Sequence, residues 1–547
     1  DPDIIIGVNV SIKKHQTYPS DADNLVKEPH VFLFLEKTDT TILAANDIYI
    51  EPKVFNYNAA SFNAIAPIID SGYVAASKKI TELKKKINRK QTSAAKEKMR
   101  NAFQAKNRKL EFGSIHIEGL QNYQKKYVLK LFSKEGKNYT IEDIKIGYYR
   151  LISENFFQNV FPSIEYNPLE KNFDFHLNIR STKDYYLNVG GVLTSRNLNN
   201  LFLSIEHTRL TNVLSKYQIS GYSGGFYNSL NLSGQVYFPS KKLYMLEAGY
   251  TFNEFDFLNS EDLQFDGDPP PYIFSTDQFA FLNFVAPLQG DQNLRFSSHY
   301  FLNEDTYIRN NKIGTQNKPS LLSLQGLKLG IEVFSNTLNR KQYASSGNKQ
   351  SLKLNYYFAN EAFNPGSEIE ENFGVLNNVS DQHQWISAQL NIERYIKTFG
   401  KLKLGMLLDA RLSTQPVFTD YYGTLINTSQ FSPLNDSKTL FLTNFRAVNY
   451  AAAGAKGIYP INKNIELHSG IYFFKPFDKL TEGEGVRPIR QTETELLESH
   501  FIISNAMVYQ SPVGPLSVGF NYYDNPRYKF GFIVQFGYIL FNRRSMD

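Results

Sequence analysis

The chain has 547 residues, of which 20% are charged and 14% aromatic, with no cysteine and a net charge of +6. Without cysteine, a disulfide framework and thiolate metal chemistry are both excluded, and so mild a positive charge does not point to nucleic acid. Mean hydropathy is −0.37, and no apolar run reaches the ~18 residues of a spanning helix; neither fact excludes a barrel, whose strands alternate.

Residues 1–77 read as the end of an α/β domain. Ile4–Val10 is an apolar run without alternation, the pattern of a strand buried on both faces of a parallel sheet. Ile48–Ile50 is a second short strand, and Ala59–Ala76 has helical spacing interrupted by Gly72. The segments IIIGVNVS (Ile4–Ser11) and IEPKVFNYNAASFNAIAPIIDSGYVAA (Ile50–Ala76) resemble the closing part of patatin-like phospholipase domains. That family is a three-layer lipid acyl hydrolase with a Ser–Asp dyad. By this resemblance the nucleophile elbow and the catalytic Asp lie upstream of the matched stretch, so no catalytic residue is expected in this chain. The implied parent would hydrolyse phospholipid acyl esters, with the missing N-terminal patatin part as a partner. Asp1 is preceded by neither Met nor an export signal, and the expectation is that N-terminal sequence was removed or lies outside this chain.

Residues 78–110 are basic and free of Gly and Pro, and predict a helical linker. The unit 111–182 follows. Phe112–Gly119 alternates as a strand, and Gln124–Phe132 and Ile141–Glu154 have helical periodicity. Thr140 is placed to cap the second helix, with Asp143 at its third position. Phe157–Tyr166 and Asn172–Ile179 are two further strands. This β-α-α-β-β order, with IEGLQNY and LISENFFQNV at its junctions, resembles a POTRA module. Such modules precede the barrels of the family that includes the outer-membrane protein assembly factor and two-partner secretion transporters.

From Lys183 to the end, period-2 alternation persists. Leu402, Leu404, Met406, Leu408, Ala410 and Leu412 oppose Lys401, Lys403, Asp409 and Arg411. Strands are expected to begin near residues 185, 199, 215, 229, 241, 276, 291, 319, 347, 384, 401, 444, 463, 498, 514 and 528, about sixteen in all. Short turns follow even strands and long loops follow odd ones, as periplasmic turns and external loops do. The turn near Ser335–Tyr343 is the exception. The last strand is expected over Tyr528–Phe541, with Tyr528, Phe530, Phe532, Val534, Phe536, Tyr538 and Leu540 facing lipid. The fold class is therefore mainly β: an antiparallel transmembrane barrel over 183–547, preceded by one POTRA-like module and a patatin-like α/β remnant.

Two motifs are discounted. Gly221–Gly225 matches a G-x-S-x-G elbow but lies where a hairpin is expected, not a strand feeding a helix. Asp266-Gly267-Asp268 lacks EF-hand spacing. No metal and no cofactor are expected. One motif carries a hypothesis. Phe445-Arg446-Ala447-Val448-Asn449-Tyr450 resembles the R-G-F/Y tip of the loop that folds into the lumen of POTRA-linked barrels, with Ala447 in place of the glycine. The resemblance implies that Arg446 pairs with an acidic wall residue, Glu466 first and Asp409 second. The expected location is the bacterial outer membrane, with the N-terminal domain and module in the periplasm. Outer-membrane lipids (phospholipid, lipopolysaccharide) and periplasmic or membrane proteins are the expected partners. The leading functional expectation is the membrane portion of a lipid acyl hydrolase; the alternative is a transport or assembly factor for polypeptides or lipids, with a lateral opening between the first and last strands.

Overall fold

A computed structural model of the chain describes residues 4–10, 43–44, 47–54, 57, 64–87, 91–106, 110–132, 138–153, 156–181, 184–238, 243–257, 272–308, 318–367, 369, 378–483, 486–492, 498–526 and 528–546. It divides into two units, Asp1–Lys109 and Leu110–Asp547.

In the first unit β1 (Ile6–Val8) pairs in parallel with β2 (Ile48–Ile50). A parallel pair requires a crossover between its strands, as in α/β units. The apolar run is not enclosed, however: Ile6 and Val8 are about half exposed. Among the described residues the sheet has only these two strands, too few to bury both faces of either. Helix α1 (Ile65–Lys86) runs straight through Gly72 and past residue 77. A glycine inside a helix costs only about 1 kcal/mol relative to Ala, which the 22-residue helix absorbs. Helix α2 (Ser93–Gln104) is capped by Thr92, whose hydroxyl accepts from Ala95 N at 3.2 Å.

The second unit opens with β3 (Glu111–Glu118), α3 (Asn122–Leu131), β4 (Tyr139–Thr140), α4 (Ile141–Ser153), β5 (Phe157–Asn167) and β6 (Asn172–Ser181). The sheet order is β4-β3-β6-β5, with β3 parallel and β5 antiparallel to β6. At the start of α4 the hydroxyl of Thr140 accepts from Asp143 N, and the Asp143 carboxylate accepts from Thr140 N. This reciprocal cap is the one the spacing predicts. Phe112, Tyr127, Val128, Leu151, Leu177 and Ile179 form the module's core, and Leu210 and Leu214 of the next domain join the same cluster.

Sixteen strands then close into one barrel. They are β7 (Tyr185–Thr194), β8 (Asn200–Leu210), β9 (Leu214–Gly224), β10 (Tyr227–Phe238), β11 (Tyr244–Asp256) and β12 (Tyr272–Pro287). Next come β13 (Asn293–Ile308), β14 (Ser320–Asn336), β15 (Asn348–Asn364), β16 (Val379–Phe399) and β17 (Leu402–Ser413). After a long loop follow β18 (Tyr450–Pro460) and β19 (Ile465–Pro476). A small hairpin, β20 (Lys479–Thr481) and β21 (Ile489–Gln491), stands outside the barrel ladder. The wall finishes with β22 (His500–Ser511), β23 (Gly514–Tyr523) and β24 (Phe530–Gly537). Neighbours are antiparallel throughout, and β24 returns to β7. Outward positions are apolar and exposed, as at Leu187, Leu203, Leu230, Leu329, Leu354, Leu412 and Phe532. Inward positions are polar or packed against segments inside the lumen. Apart from the short β24–β7 join, the ring pairs its strands edge to edge, and with this exterior it can cross a bilayer.

The closing strand is shorter than its alternation suggests. It ends at Gly537 rather than Phe541, and residues 538–546 enter the lumen. Ile539 is buried in the lumen core, and Phe541 packs against the rings of Phe226 and Tyr227.

Candidate functional site

The barrel has one weak join. β24 pairs with β23 over seven residues but with β7 over three: Gln535–Gly537 against Thr194–Val192. Ser195 adds two bonds, its N donating to Val534 O at 2.8 Å and its hydroxyl accepting from Val534 N at 3.0 Å. Because the chain turns inward after Gly537, the β7 edge from Tyr185 to Gly191 has no ladder partner among the described residues. Tyr185, Leu187 and Val189 stand outward on that edge and are about two-thirds exposed.

Among the described residues, three segments fill most of the lumen. The first is the 414–449 loop between β17 and β18. It carries the short helix α5 (Tyr421–Ile426), capped by Asp420, whose carboxylate accepts from Gly423 N at 3.1 Å and from the β13 residue Tyr307 at 2.6 Å. On the opposite wall Asp436 accepts from Asn521 Nδ2 at 2.7 Å and Tyr523 Oη at 3.1 Å, both on β23. β13 and β23 lie eight strands apart in the ring of sixteen, so the loop is tied across a full diameter. Phe418 and Leu425 pack on the β13–β16 side, and Phe431, Leu442 and Phe445 pack against Tyr472, Phe474 and Tyr523.

The second is the 538–546 tail. Asn542 N donates to Tyr227 Oη (2.9 Å), Ser545 N to Asp277 (3.0 Å), Lys328 Nζ to Ser545 O (3.0 Å) and Tyr357 Oη to Met546 O (3.0 Å). These partners lie on β10, β12, β14 and β15. The third is the turn 337–347, long for its end of the barrel. It reaches into the mouth beside the module: Arg340 meets Glu466 at 2.6 Å, Tyr343 Oη meets Ser517 Oγ at 2.9 Å, and Gln342 accepts from Ile539 N at 3.1 Å. That bridging accounts for its length.

The expected pairing of Arg446 with Glu466 or Asp409 is not formed. Arg446 Nη1 instead donates to the carbonyls of Leu425, Ile426 and Thr428 at 3.1, 3.0 and 2.9 Å, closing the C-terminal end of α5. A cation there offsets the partial negative charge of the helix end. Its guanidinium also lies 4.3 Å over the Phe441 ring. Glu466 belongs to Arg340 and to His468 at 3.2 Å. Asp409 accepts from Gln389, Asn391 and Tyr450. For Glu466 the reason is register. Pro476 faces Tyr450 while Glu466 faces Pro460, so Glu466 sits ten residues down the strand from the Arg446 end, about 33 Å. The loop does fold inward, but its arginine serves the loop.

Of the discounted motifs, Gly221–Gly224 ends strand β9 and Tyr227 opens β10, antiparallel to it, so the elbow match is a hairpin. Asp266–Asp268 lie outside the described residues. Neither the Tyr227 and Asp277 anchors nor the Arg340 bridge was anticipated; only the surplus length of the 337–347 turn hinted at the last.

Comparison with known proteins adds the fold. No protein-family model matches the chain, and no curated protein matches it by sequence. Among solved structures it is similar to BamA from Haemophilus ducreyi lacking POTRA domains 1-3, with TM-score 0.51 and 13% identity over 79% of this chain and 85% of that one. CdiB from Acinetobacter baumannii gives 0.45 and 10% over 78% and 74%, and CdiB from Escherichia coli gives 0.43 and 11% over 79% and 77%. The fold is that of a sixteen-strand outer-membrane-type barrel.

Proposed function

We propose that the chain is a transport or assembly factor of the bacterial outer membrane, handling polypeptides or lipids at the join of β7 and β24. The observation that carries this reading is the three-pair seam beside an outward-facing apolar edge at Tyr185–Gly191 that has no ladder partner among the described residues. An unpaired strand edge is a template for adding another strand, with main-chain hydrogen bonds supplying affinity. A passive pore has no use for such an edge, and its lumen would not be filled by three tied segments. The β-α-α-β-β order and its contact with the first barrel turn support a periplasmic POTRA-like module that delivers cargo to this side. Periplasmic and membrane proteins would then be partners.

The lipid-hydrolase reading is weaker. Its support in the structure is the parallel β1–β2 pair, which fits an α/β unit. A phospholipase assay on purified protein, positive and lost on serine-directed inactivation, would restore it.

Leu193 and Phe536 face each other across the seam, and the chain has no native cysteine to interfere. Directly opposed strand residues are near enough for a disulfide. The Leu193→Cys/Phe536→Cys variant should fold and oxidise, and should fail in cells that depend on the protein until reductant is added. Full function with the seam locked would sink the proposal.

A further inference from the structure

Residues 78–109 hold the chain's positive charge. They contain thirteen Lys and Arg against two Glu. The whole unit Asp1–Lys109, with every acidic residue counted, contains eighteen against twelve. It therefore carries all of the chain's +6, and residues 110–547 balance to zero. The rest of the unit cannot cancel the surplus of 78–109. One of the two acids, Glu82, is already shared by Lys79 and Lys86, each at 3.2 Å.

A charged helix that only bridges two domains is polar all round. The two helices here are not. In α2, Ala95, Met99, Ala102 and Phe103 recur at spacings of three and four and so share a face, with Lys96 on one side of it and Lys98 on the other. In α1, Ile65, Ile69, Tyr73, Ile80 and Leu83 form a stripe in the same way, continued by Ile87 just past its end, and Lys79, Lys84 and Lys86 flank the C-terminal half. Among the described residues neither helix has a buried side chain: Tyr73 is 75% exposed, Met99 61% and Phe103 69%. The α1 stripe also points away from the strand pair. Ser71 donates to Lys53 O at 2.8 Å, and Pro67 and Val74 line the cleft against Tyr49–Lys53, on the other side of the helix from Ile69 and Ile80.

We infer that α2 and the basic half of α1 (Lys78–Ile87) form a membrane-surface anchor, with Met99, Phe103, Ile80 and Ile87 entering the acyl boundary of an anionic phospholipid leaflet and the flanking lysines meeting its phosphates. An apolar face rimmed by lysines is the composition of helices that lie in the plane of an interface. Lysine heads stay in the headgroup layer while their stems cover apolar surface. Cations clustered near an anionic leaflet add to binding one by one. The occupant is a bilayer rather than a soluble acidic protein because the same chain spans one. The unit is joined covalently to the barrel, which keeps a leaflet at high effective concentration.

The chain has no cysteine, so a single introduced thiol can be labelled alone. The full chain carrying Met99→Cys, on the apolar face, or Gln104→Cys, on the polar face, would be labelled with a polarity-sensitive dye. Each would be placed in nanodiscs of phosphatidylcholine alone or mixed with phosphatidylglycerol. In the anionic discs the Met99 dye should emit at shorter wavelength and be quenched by bromolipid, and the Gln104 dye much less. Adding Lys96→Gln, Lys98→Gln and Arg100→Gln should weaken partition roughly fivefold for each charge removed, and so lower the salt concentration at which the quenching is lost. Gel mobility before and after heating checks that the barrel is folded in every variant. Three outcomes overturn the inference. The first is a Met99 dye that behaves alike in both lipids. The second is anionic-lipid quenching that the triple substitution leaves unchanged. The third is a dye shielded from water yet unreached by bromolipid, which would mean that protein covers the face.

Discussion

Gly537 approaches Gly191 so closely that a Cβ on it would lie 2.2 Å from the Gly191 carbonyl oxygen, and its φ is +101°. Both facts require glycine, one through contact and one through conformation. This residue ends the β24 ladder and starts the inward tail, so seam length and lumen filling depend on one backbone turn. Gly537→Ala should therefore shorten or open the seam. Gly290→Ala is the control, since its φ is +67° and a Cβ there meets nothing within 4 Å. The control should cost about 1–2 kcal/mol, the strain of a left-handed residue alone. Gly537→Ala should cost more and lower the thermal midpoint further. Equal losses in the two variants would mean that the approach to Gly191 relaxes freely.

The tail fills the lumen without belonging to the wall. All of its anchors to Tyr227, Asp277, Lys328 and Tyr357 are made inside the barrel, after the last ladder pair at Gly537. Deleting residues 538–547 should leave the sixteen-strand ladder intact and raise single-channel conductance in planar bilayers. Ser545→Ala removes the hydroxyl bonds to Asp277 and Asn303 but keeps the backbone bond to Asp277, and should act in the same direction, more weakly. Unchanged conductance on deletion would show that the 414–449 loop alone sets the resistance.

Alternation made the barrel legible. Leu402 to Leu412 places Asp409 and Arg411 inward as observed, and the expected strand starts at 185, 199, 215 and 229 fall within two residues of those found. The same device misled at the end of the chain. Tyr538 and Leu540 continue the period of Phe532 and Phe536, but a local period carries no information about a positive φ at Gly537. The arginine latch failed differently. Counting strand length from the turn at Asn462–Asn464 places Glu466 at the wrong end of the barrel for Arg446, so that error was avoidable from the sequence. What Arg446 does instead was not, because α5 is a six-residue helix whose position depends on tertiary packing.

Arg340 and Glu466 tie the 337–347 turn to β19 at the module end. The carboxylate side chain is 7% exposed and also meets His468. Arg340→Gln leaves Glu466 with a weaker partner and should cost about 1–3 kcal/mol, the range for a charged hydrogen bond lost at a buried group. The double variant Arg340→Gln/Glu466→Gln should recover much of that loss, because no carboxylate is then left without its arginine. Denaturant unfolding in detergent measures both. A double variant as unstable as the sum of the singles would mean that the two residues act independently.

Asp420, fully buried, shares the loop's hold on the β13 wall with the Asn427–Asp305 bond, and serves both as the cap of α5 and as the acceptor of Tyr307. The two roles separate by mutation. Tyr307→Phe removes the wall bond and keeps the cap, whereas Asp420→Ala removes both. Loss of a helix cap is worth about 0.5–2 kcal/mol, and a charged hydrogen bond adds about 1.5–3. Phe418, just before α5, packs edge-on against Trp385 with centroids 6.3 Å apart, so movement of the loop is felt at the single tryptophan. Asp420→Ala should shift Trp385 emission to longer wavelength as water reaches the ring and should speed proteolysis within 414–449. Tyr307→Phe should give a smaller shift in the same direction. If Tyr307→Phe alone matches Asp420→Ala, the wall bond and not the cap holds the loop across the lumen.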